Sequence, residues 1–245
     1  MEYTIKPIAY IRTNLTGKFG LPRQSGVVPK LRGTIVFEPE YRDVNAVRGL
    51  EGFSHIWLVW QFSESVKTTE KGFSPTVRPP RLGGNERVGV FATRSPFRPN
   101  NLGLSSVKLE SIKFDDDLGP VLTVSGVDLM DGTPIFDIKP YIAYADSHPY
   151  ATEGFLADAS ELALEVEFSH EMRDAFIAHV KSLGESEPEQ LLEELTALLK
   201  NDPRPQYQDD PSRVYGLTFA DADIKFTVDG NKLSVVDVIP KKVHD

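Results

Sequence analysis

His55-Ile56-Trp57-Leu58-Val59-Trp60-Gln61-Phe62 is the stretch on which the fold turns. It is almost continuously apolar and rich in β-branched and aromatic side chains, the pattern of a strand buried on both faces. His55 reads as a hydrogen-bonded structural histidine. Outward from this segment, six further β segments precede residue 141: Tyr3–Ile11, Thr34–Phe37, Arg87–Ala92, Leu104–Phe114, Val121–Val127 and Ile135–Lys139. Gly or Pro stands at most of their boundaries, and no long helical pattern intervenes, so the N-terminal part is expected to be a closed or sandwiched β domain.

The pattern changes near residue 150. Glu161–Phe168 alternates as a strand, with Leu162, Leu164, Val166 and Phe168 on one face. Ser169 then caps a helix running through Val180, with Met172, Phe176, Ile177 and Val180 as its core stripe. Ser186-Glu187-Pro188-Glu189 fits a capping box for a second helix, whose Leu191, Leu192, Leu195, Leu198 and Leu199 share a face. Ile224, Phe226 and Val228, a turn at Asp229-Gly230, and Leu233, Val235 and Asp237 form a closing hairpin. The fold class is therefore α+β, with a mostly β domain over 1–150 and a small α+β domain over 151–245.

The chain has 245 residues and a formal net charge of −9. It contains no cysteine, which excludes disulfides, thiolate zinc sites, iron–sulfur clusters and a cysteine nucleophile. The five histidines are not spaced as helical ligands, so no metal is expected. No apolar run approaches the roughly 20 residues of a membrane helix. Glu2, Lys6 and Arg12 interrupt any signal-like apolar core, so no membrane association is expected and the cytoplasm is the default compartment.

The net charge conceals a division. Residues 1–98 carry 15 basic and 8 acidic side chains, and residues 99–245 carry 12 and 28. The basic density peaks at Arg78, Arg81, Arg87, Arg94 and Arg98, against Glu86 alone. Arginine's planar fork suits carboxylate and phosphate, so this segment reads as an anion or substrate site. Between Gly72 and Gly103, Pro and Arg alternate with apolar residues, which marks an ordered functional loop rather than a linker. From composition alone, three functions remain open: an enzyme, a non-catalytic RNA-binding module, and an interaction protein whose acidic domain meets a basic partner.

The sequence has no Walker loop, no dinucleotide-binding glycine fingerprint, no Gly-x-Ser-x-Gly and no His-Glu-x-x-His. It does carry, in order, Ala46-Val47-Arg48-Gly49-Leu50-Glu51, Arg78-Pro79-Pro80-Arg81-Leu82-Gly83-Gly84-Asn85, and Gly89-Val90-Phe91-Ala92-Thr93-Arg94-Ser95. Arg98-Pro99-Asn100, Asp131-Gly132-Thr133-Pro134 through Asp137-Ile138-Lys139-Pro140-Tyr141, and Asp202-Pro203-Arg204-Pro205-Gln206-Tyr207 follow. Over nearly the whole chain these motifs resemble the TrmO (YaeB-like) family. The resemblance implies a β-barrel S-adenosylmethionine-dependent tRNA adenine-N6 methyltransferase. It further implies that the target is the exocyclic amine of threonylcarbamoyl-adenosine on the 3′ side of the anticodon, and that the cofactor site lies near a homodimer interface.

Carried over by position, the resemblance assigns cofactor contacts to Pro22, Arg23, Gln24, Ser63, Glu64, Arg94, Leu104, Asp131, Gly132, Thr133, Pro134 and Ile135. Asn101 stands where the family reads proline, and Ser63-Glu64 where relatives read His-Gln. Arg94 or Arg23 is expected to clamp the cofactor carboxylate, because a guanidinium matches it bidentately. Asp137 and Asp131 are the candidate bases for the adenine amine. For the tRNA anticodon loop, Arg48, Arg78, Arg81 and Arg98 are expected to follow phosphates. Arg204 and Tyr207 are expected to receive a splayed base.

Overall fold

A computed structural model describes residues 3–63, 73–79, 86–156, 163–204 and 210–241. By contact the chain divides into two compact units, neither continuous. The first comprises Met1–Arg12, Thr34–Ser125 and Gly132–Ser160, and the second Thr13–Gly33, Gly126–Asp131 and Glu161–Asp245. Two segments that lie before residue 150 thus cluster with the C-terminal residues.

Six strands close into a barrel: β1 (Ala9–Thr13), β2 (Arg32–Phe37), β3 (His55–Gln61), β6 (Leu102–Asp115), β7 (Gly119–Ser125) and β8 (Pro134–Pro140), ordered β1-β2-β7-β6-β3-β8. Closure leaves no unpaired sheet edge among them. The barrel interior is packed by Ala9, Ile11, Ile35, Phe37, Ile56, Leu58, Trp60, Val107, Leu122, Val124 and Ile135, all buried. Each large side chain among them contributes about 1.5–3 kcal/mol by leaving water. A two-stranded ribbon, β4 (Thr76–Val77) with β5 (Val88–Gly89), and one turn of helix, α1 (Ala143–Asp146), belong to the same unit.

β3 departs from the expected strand in one respect. Ile56, Leu58 and Trp60 are in the core, but His55, Trp57, Val59 and Gln61 are only half covered. The second face is the outside of the barrel, where Trp57 rests against Tyr141 at 5.6 Å between ring centroids and donates from Nε1 to Asp146 Oδ2 at 3.1 Å. The backbone N–H of Ile142, and then this indole, hold the Asp146 carboxyl below its usual range. His55 Nδ1 lies 2.9 Å from Ser54 Oγ. The strand expected over Arg87–Ala92 stops at Gly89, and Val90–Ala92 is a 3-10 turn. Thr93 ends the extension by donating both its N–H and its hydroxyl to the Val90 carbonyl.

The second unit holds a four-stranded sheet, ordered β10 (Tyr215–Phe219), β11 (Ala222–Asp229), β12 (Lys232–Pro240) and β9 (Glu165–Phe168), with β9 parallel to β12. Helices α2 (His170–Ser182) and α3 (Pro188–Lys200) belong with it. Ser169 caps α2 by accepting from the Met172 N–H at 3.2 Å. Phe176 and Val180 are buried in α2, and all five leucines of the α3 stripe are buried. The Ser186 capping box does not form: Glu187 is the N-cap residue of α3, without a side-chain cap, and Pro188 leads the helix. Glu187 Oε2 instead lies 3.9 Å from Arg32 Nη1. In the hairpin, the register shifts so that Phe226 faces Val235 and Lys225 faces Asp237. The extra residue, Val236, turns Asp237 outward and puts Val238 in the core position.

Glu194 breaks the polarity of α3. It is only 2% exposed, accepting from Gln190 Nε2 at 3.2 Å and from the Arg32 N–H at 3.4 Å. Burial raises its pKa above the ordinary carboxylate value. Because the folded pKa is the raised one, this group's contribution to stability is fully present below the ordinary carboxylate pKa. It is lost as pH rises through the folded value. Glu194→Gln is therefore expected to melt above the parent protein at pH 8 and level with it near pH 4. A gap independent of pH across thermal melts would contradict this.

Candidate functional site

Three adjacent barrel strands bring the expected residues together through their register. Leu104 pairs with Val59 across β6 and β3, and Val59 pairs with Asp137 across β3 and β8. These three side chains stand in a row on the outer face, since the alternating β3 positions Leu58 and Trp60 fill the core. Neighbouring strands lie about 4.8 Å apart, so the backbones of Leu104 and Asp137 are within roughly 10 Å. Leu104 is 56% exposed, leaving an apolar side chain standing out of the sheet.

A β-bulge aims Asp137. Val59 faces Asp137 while Trp60 faces Ile135, so Phe136 is an extra residue on β8. Strict alternation from the buried Ile135 would turn Asp137 into the core; the bulge turns it out. Its Oδ2 lies 2.6 Å from Lys139 Nζ, and its Oδ1 accepts the Ile138 N–H at 2.9 Å. The carboxylate is fixed in direction and about half exposed.

The loop after β5 is held by its own polar groups. Arg98 Nη1 donates to the carbonyls of Thr93 at 2.9 Å and Ser95 at 3.4 Å. Asn101 is buried in a left-handed conformation at φ 50°, and its Nδ2 donates to the Pro96 carbonyl at 2.8 Å. Its carbonyl accepts the Phe62 N–H at 2.8 Å, which ties the loop to the end of β3. Proline cannot reach that φ, so asparagine here gives the loop a different but equally fixed exit. Arg94 stands exposed on this loop. Arg98 is half-buried, and the bonds just described make it a staple of the loop.

The Asp131-Gly132-Thr133-Pro134 turn is equally tied down. Asp131 Oδ1 accepts the Thr13 N–H at 3.0 Å, and its own N–H donates to the Leu15 carbonyl. Gly132 takes φ 73°, where a side chain is strained, and donates to the Ile11 carbonyl at 2.9 Å. Thr133 is buried and accepts the Ile11 N–H, while Ile135 points into the barrel. Pro22, Arg23 and Gln24 lie in the second unit with Asp131, whereas Ser63, Arg94, Leu104 and Gly132–Ile135 lie in the first. Ser63 is exposed just past β3. Glu64, Arg81 and Tyr207 lie outside the described residues.

Among the arginines expected to meet RNA, Arg78 is exposed at the end of β4. Arg48 closes the turn Val44–Val47, donates to Asn45 Oδ1, and lines a cleft of about 450 Å³ with Tyr41, Leu50, Phe53, Ile138 and Pro140. Arg204 is partly buried. Its side chain is only 10% exposed, with Nε 2.8 Å from Asp202 Oδ1 and Nη2 2.9 Å from Oδ2. Asp202 adopts φ 43°, which turns its carboxylate onto the guanidinium, and the Tyr215 ring lies 6.0 Å from Arg204 Cζ. Arg204 is thus paired with Asp202 within its own unit, with little of its side chain on the surface where a base was expected to stack. Sequence reasoning missed Val59, which reads as core but joins Leu104 to Asp137, and Asn101 as an anchor. A positive φ at a non-glycine residue leaves no mark in the sequence beyond asparagine's tolerance for it.

Comparison with known proteins agrees across both units. The model of the tRNA-methyltransferase O N-terminal domain matches residues 10–147, and that of the TrmO C-terminal domain matches 161–241. The chain is 36% identical over 242 residues to the tRNA (adenine(37)-N6)-methyltransferase of Escherichia coli (strain K12), covering 98% of this chain and 99% of that protein. It is 44% identical over 177 residues to the tRNA (adenine(37)-N6)-methyltransferase of Eikenella corrodens, covering 72% and 92%. The crystal structure of TrmO from Pseudomonas aeruginosa superposes with a TM-score of 0.76 at 34% identity, covering 97% of this chain and 99% of that one. With both family models matched in order and relatives alike from end to end, the chain belongs to the tRNA-methyltransferase O (TrmO) family.

Proposed function

We propose that this protein is an S-adenosylmethionine-dependent tRNA adenine-N6 methyltransferase acting on the exocyclic amine of threonylcarbamoyl-adenosine, 3′ of the anticodon. The observation that carries the reading is the likeness to a tRNA (adenine(37)-N6)-methyltransferase over 98% of this chain. The residues present suit the cofactor. Arg94, an exposed residue of its loop, brings the planar fork that a carboxylate matches, Leu104 offers an apolar surface, and the Gly132–Thr133 turn is tied to Ile11 by hydrogen bonds. Pro22, Arg23, Gln24, Ser63, Asp131, Pro134 and Ile135 complete the set assigned by the family resemblance.

When bound, the cofactor supplies a methyl group on a sulfonium sulfur, electrophilic enough for an amine nitrogen to displace it. The protein's part is mainly orientation, which can supply up to about 7–11 kcal/mol in well-aligned cases. Arg94 holds the carboxylate end while Leu104 and Val59 keep the neighbouring surface apolar. The acceptor nitrogen would bond to the methyl carbon as the carbon–sulfur bond breaks, sulfur keeping that electron pair as a neutral thioether, and the nitrogen would lose a proton, a loss the carbamoyl substituent eases by drawing electrons away. Asp137 takes the proton, its carboxylate held ready by Lys139 at 2.6 Å. Asp131 already accepts the Thr13 N–H, which suits it to shaping the turn. Arg48 and Arg78 meet backbone phosphates. The same reading takes the enzyme to be a cytoplasmic homodimer.

The decisive experiment supplies labelled S-adenosylmethionine with bulk tRNA that carries or lacks the threonylcarbamoyl group. Label is expected in the modified tRNA alone. Equal incorporation into both would overturn the proposed substrate.

A further inference from the structure

Phe73 and Phe91 are the most conspicuous side chains that the proposed chemistry does not use. Their rings lie nearly parallel, 24° apart with centroids 6.2 Å apart, yet they are 59% and 72% exposed. Two neighbouring exposed rings present flat apolar faces on which a partner's ring can stack. The pair is also held firmly. Val90, next to Phe91, is buried, its N–H donates to the Pro75 carbonyl at 2.9 Å, and its carbonyl is the one that Thr93 grips.

The surroundings are basic. β4 and β5 pair Thr76 with Gly89 and Val77 with Val88. Arg87 donates from Nε to Thr76 Oγ1 at 2.9 Å, which holds its guanidinium on the ribbon, and the register carried one residue further sets the exposed Arg78 opposite it, so that two cations share one ribbon end. Arg94 follows Phe91 by three residues, and Glu86 is the one acid among residues 73–79 and 86–98. An aromatic plate flanked by guanidinium groups has the composition of a single-stranded nucleic-acid site. Every base offers a π-face to the ring, and every phosphate a charge to the arginines.

We infer that Phe91, backed by Phe73, is a stacking platform for an unpaired base of the substrate tRNA, with Arg78 and Arg87 on the adjoining phosphates. The assignment rests on the tRNA methyltransferase reading above. A second copy of the chain is the competing occupant, and the test separates the two.

Phe91→Ala, Phe91→Trp and, as a control, Phe114→Ala are made in the full chain; Phe114 is also largely exposed, at 64%, but lies beside the β6–β7 turn. Phe91→Ala is expected to raise KM for modified tRNA on the order of tenfold. Its kcat, its S-adenosylmethionine affinity and its sedimentation coefficient are expected to match the parent. Phe91→Trp keeps the parent KM, and its added fluorescence is quenched by an anticodon stem-loop RNA; Phe114→Ala changes nothing. An unchanged KM in Phe91→Ala, or an unquenched Phe91→Trp, overturns the platform while the parent still methylates tRNA. A smaller sedimenting species for Phe91→Ala overturns it in favour of a second copy. A parent protein that transfers no methyl group to tRNA overturns the methyltransferase reading itself, and the platform with it.

Discussion

Replacing Arg94 with alanine is expected to weaken S-adenosylmethionine binding a hundredfold or more, since truncating one partner of a desolvated charge pair costs about 2–5 kcal/mol. The loop carrying Arg94 is fixed on both sides, by Thr93 bonded to the Val90 carbonyl and by Arg98 bonded to the carbonyls of Thr93 and Ser95. A guanidinium held on such a loop meets a carboxylate with little ordering left to pay for. Arg94→Lys keeps the charge but loses the planar fork, so it is expected to recover only part of the affinity. Arg94 is an exposed residue, so the loss of cofactor affinity is expected to exceed any change in the thermal midpoint. Calorimetric titration reads the result. An unchanged dissociation constant would move the carboxylate site elsewhere, with Arg23 the first alternative.

Gly103→Ala is expected to destabilise the barrel by about 1–3 kcal/mol, the range for overfilling a packed core. A methyl group at Gly103 would sit 2.4 Å from Trp60 Cε2 and 2.5 Å from Cζ2. The indole cannot step aside, because its Nε1 donates to Ser105 Oγ at 2.9 Å and its ring packs edge-on against Phe62 at 4.3 Å. A chain of this size loses roughly 2–4 °C of melting temperature per kcal/mol. Gly89→Ala is the control, since nothing lies within 4 Å of the added methyl group. If Gly103→Ala melts with the parent, the packing described for Trp60 is wrong. Displacing Trp60 would also disturb the neighbouring row, so a lower cofactor affinity is expected to accompany the lower midpoint.

Much of the fold was legible because it depends on local pattern. Val121–Val127 announces a strand by its β-branched content, and the five leucines of α3 announce the buried face of a helix. The misses share a cause. Phe136 and Val236 are single extra residues that reverse which side chains face the core, and both look like ordinary strand positions. Glu194 interrupts a leucine stripe and is buried all the same, because neighbouring groups accept the cost of covering it. Arg204 reads as a surface cation, and only the left-handed backbone at Asp202 shows that its charge is already engaged.

The candidate site was legible as a set of residues and illegible as an arrangement. The resemblance carried by the ordered motifs assigns Arg94, Leu104 and Asp131 to Ile135, and proton-transfer chemistry adds Asp137, each as a position along the chain. They could not reveal that β3 lies between β6 and β8, so that Leu104, Val59 and Asp137 form one row. Nor could they show that Thr13–Gly33 and Gly126–Asp131 cluster with the C-terminal unit. What the sequence determined by itself was most of the secondary structure, the absence of cysteine chemistry and the family, all properties of short stretches read in order. What tertiary structure alone decided was which carboxylate faces outward, which arginines are already engaged and which aromatic pair is left in water. Strand register, bulges and burial are set by contacts between residues far apart in the chain, and no local pattern records them.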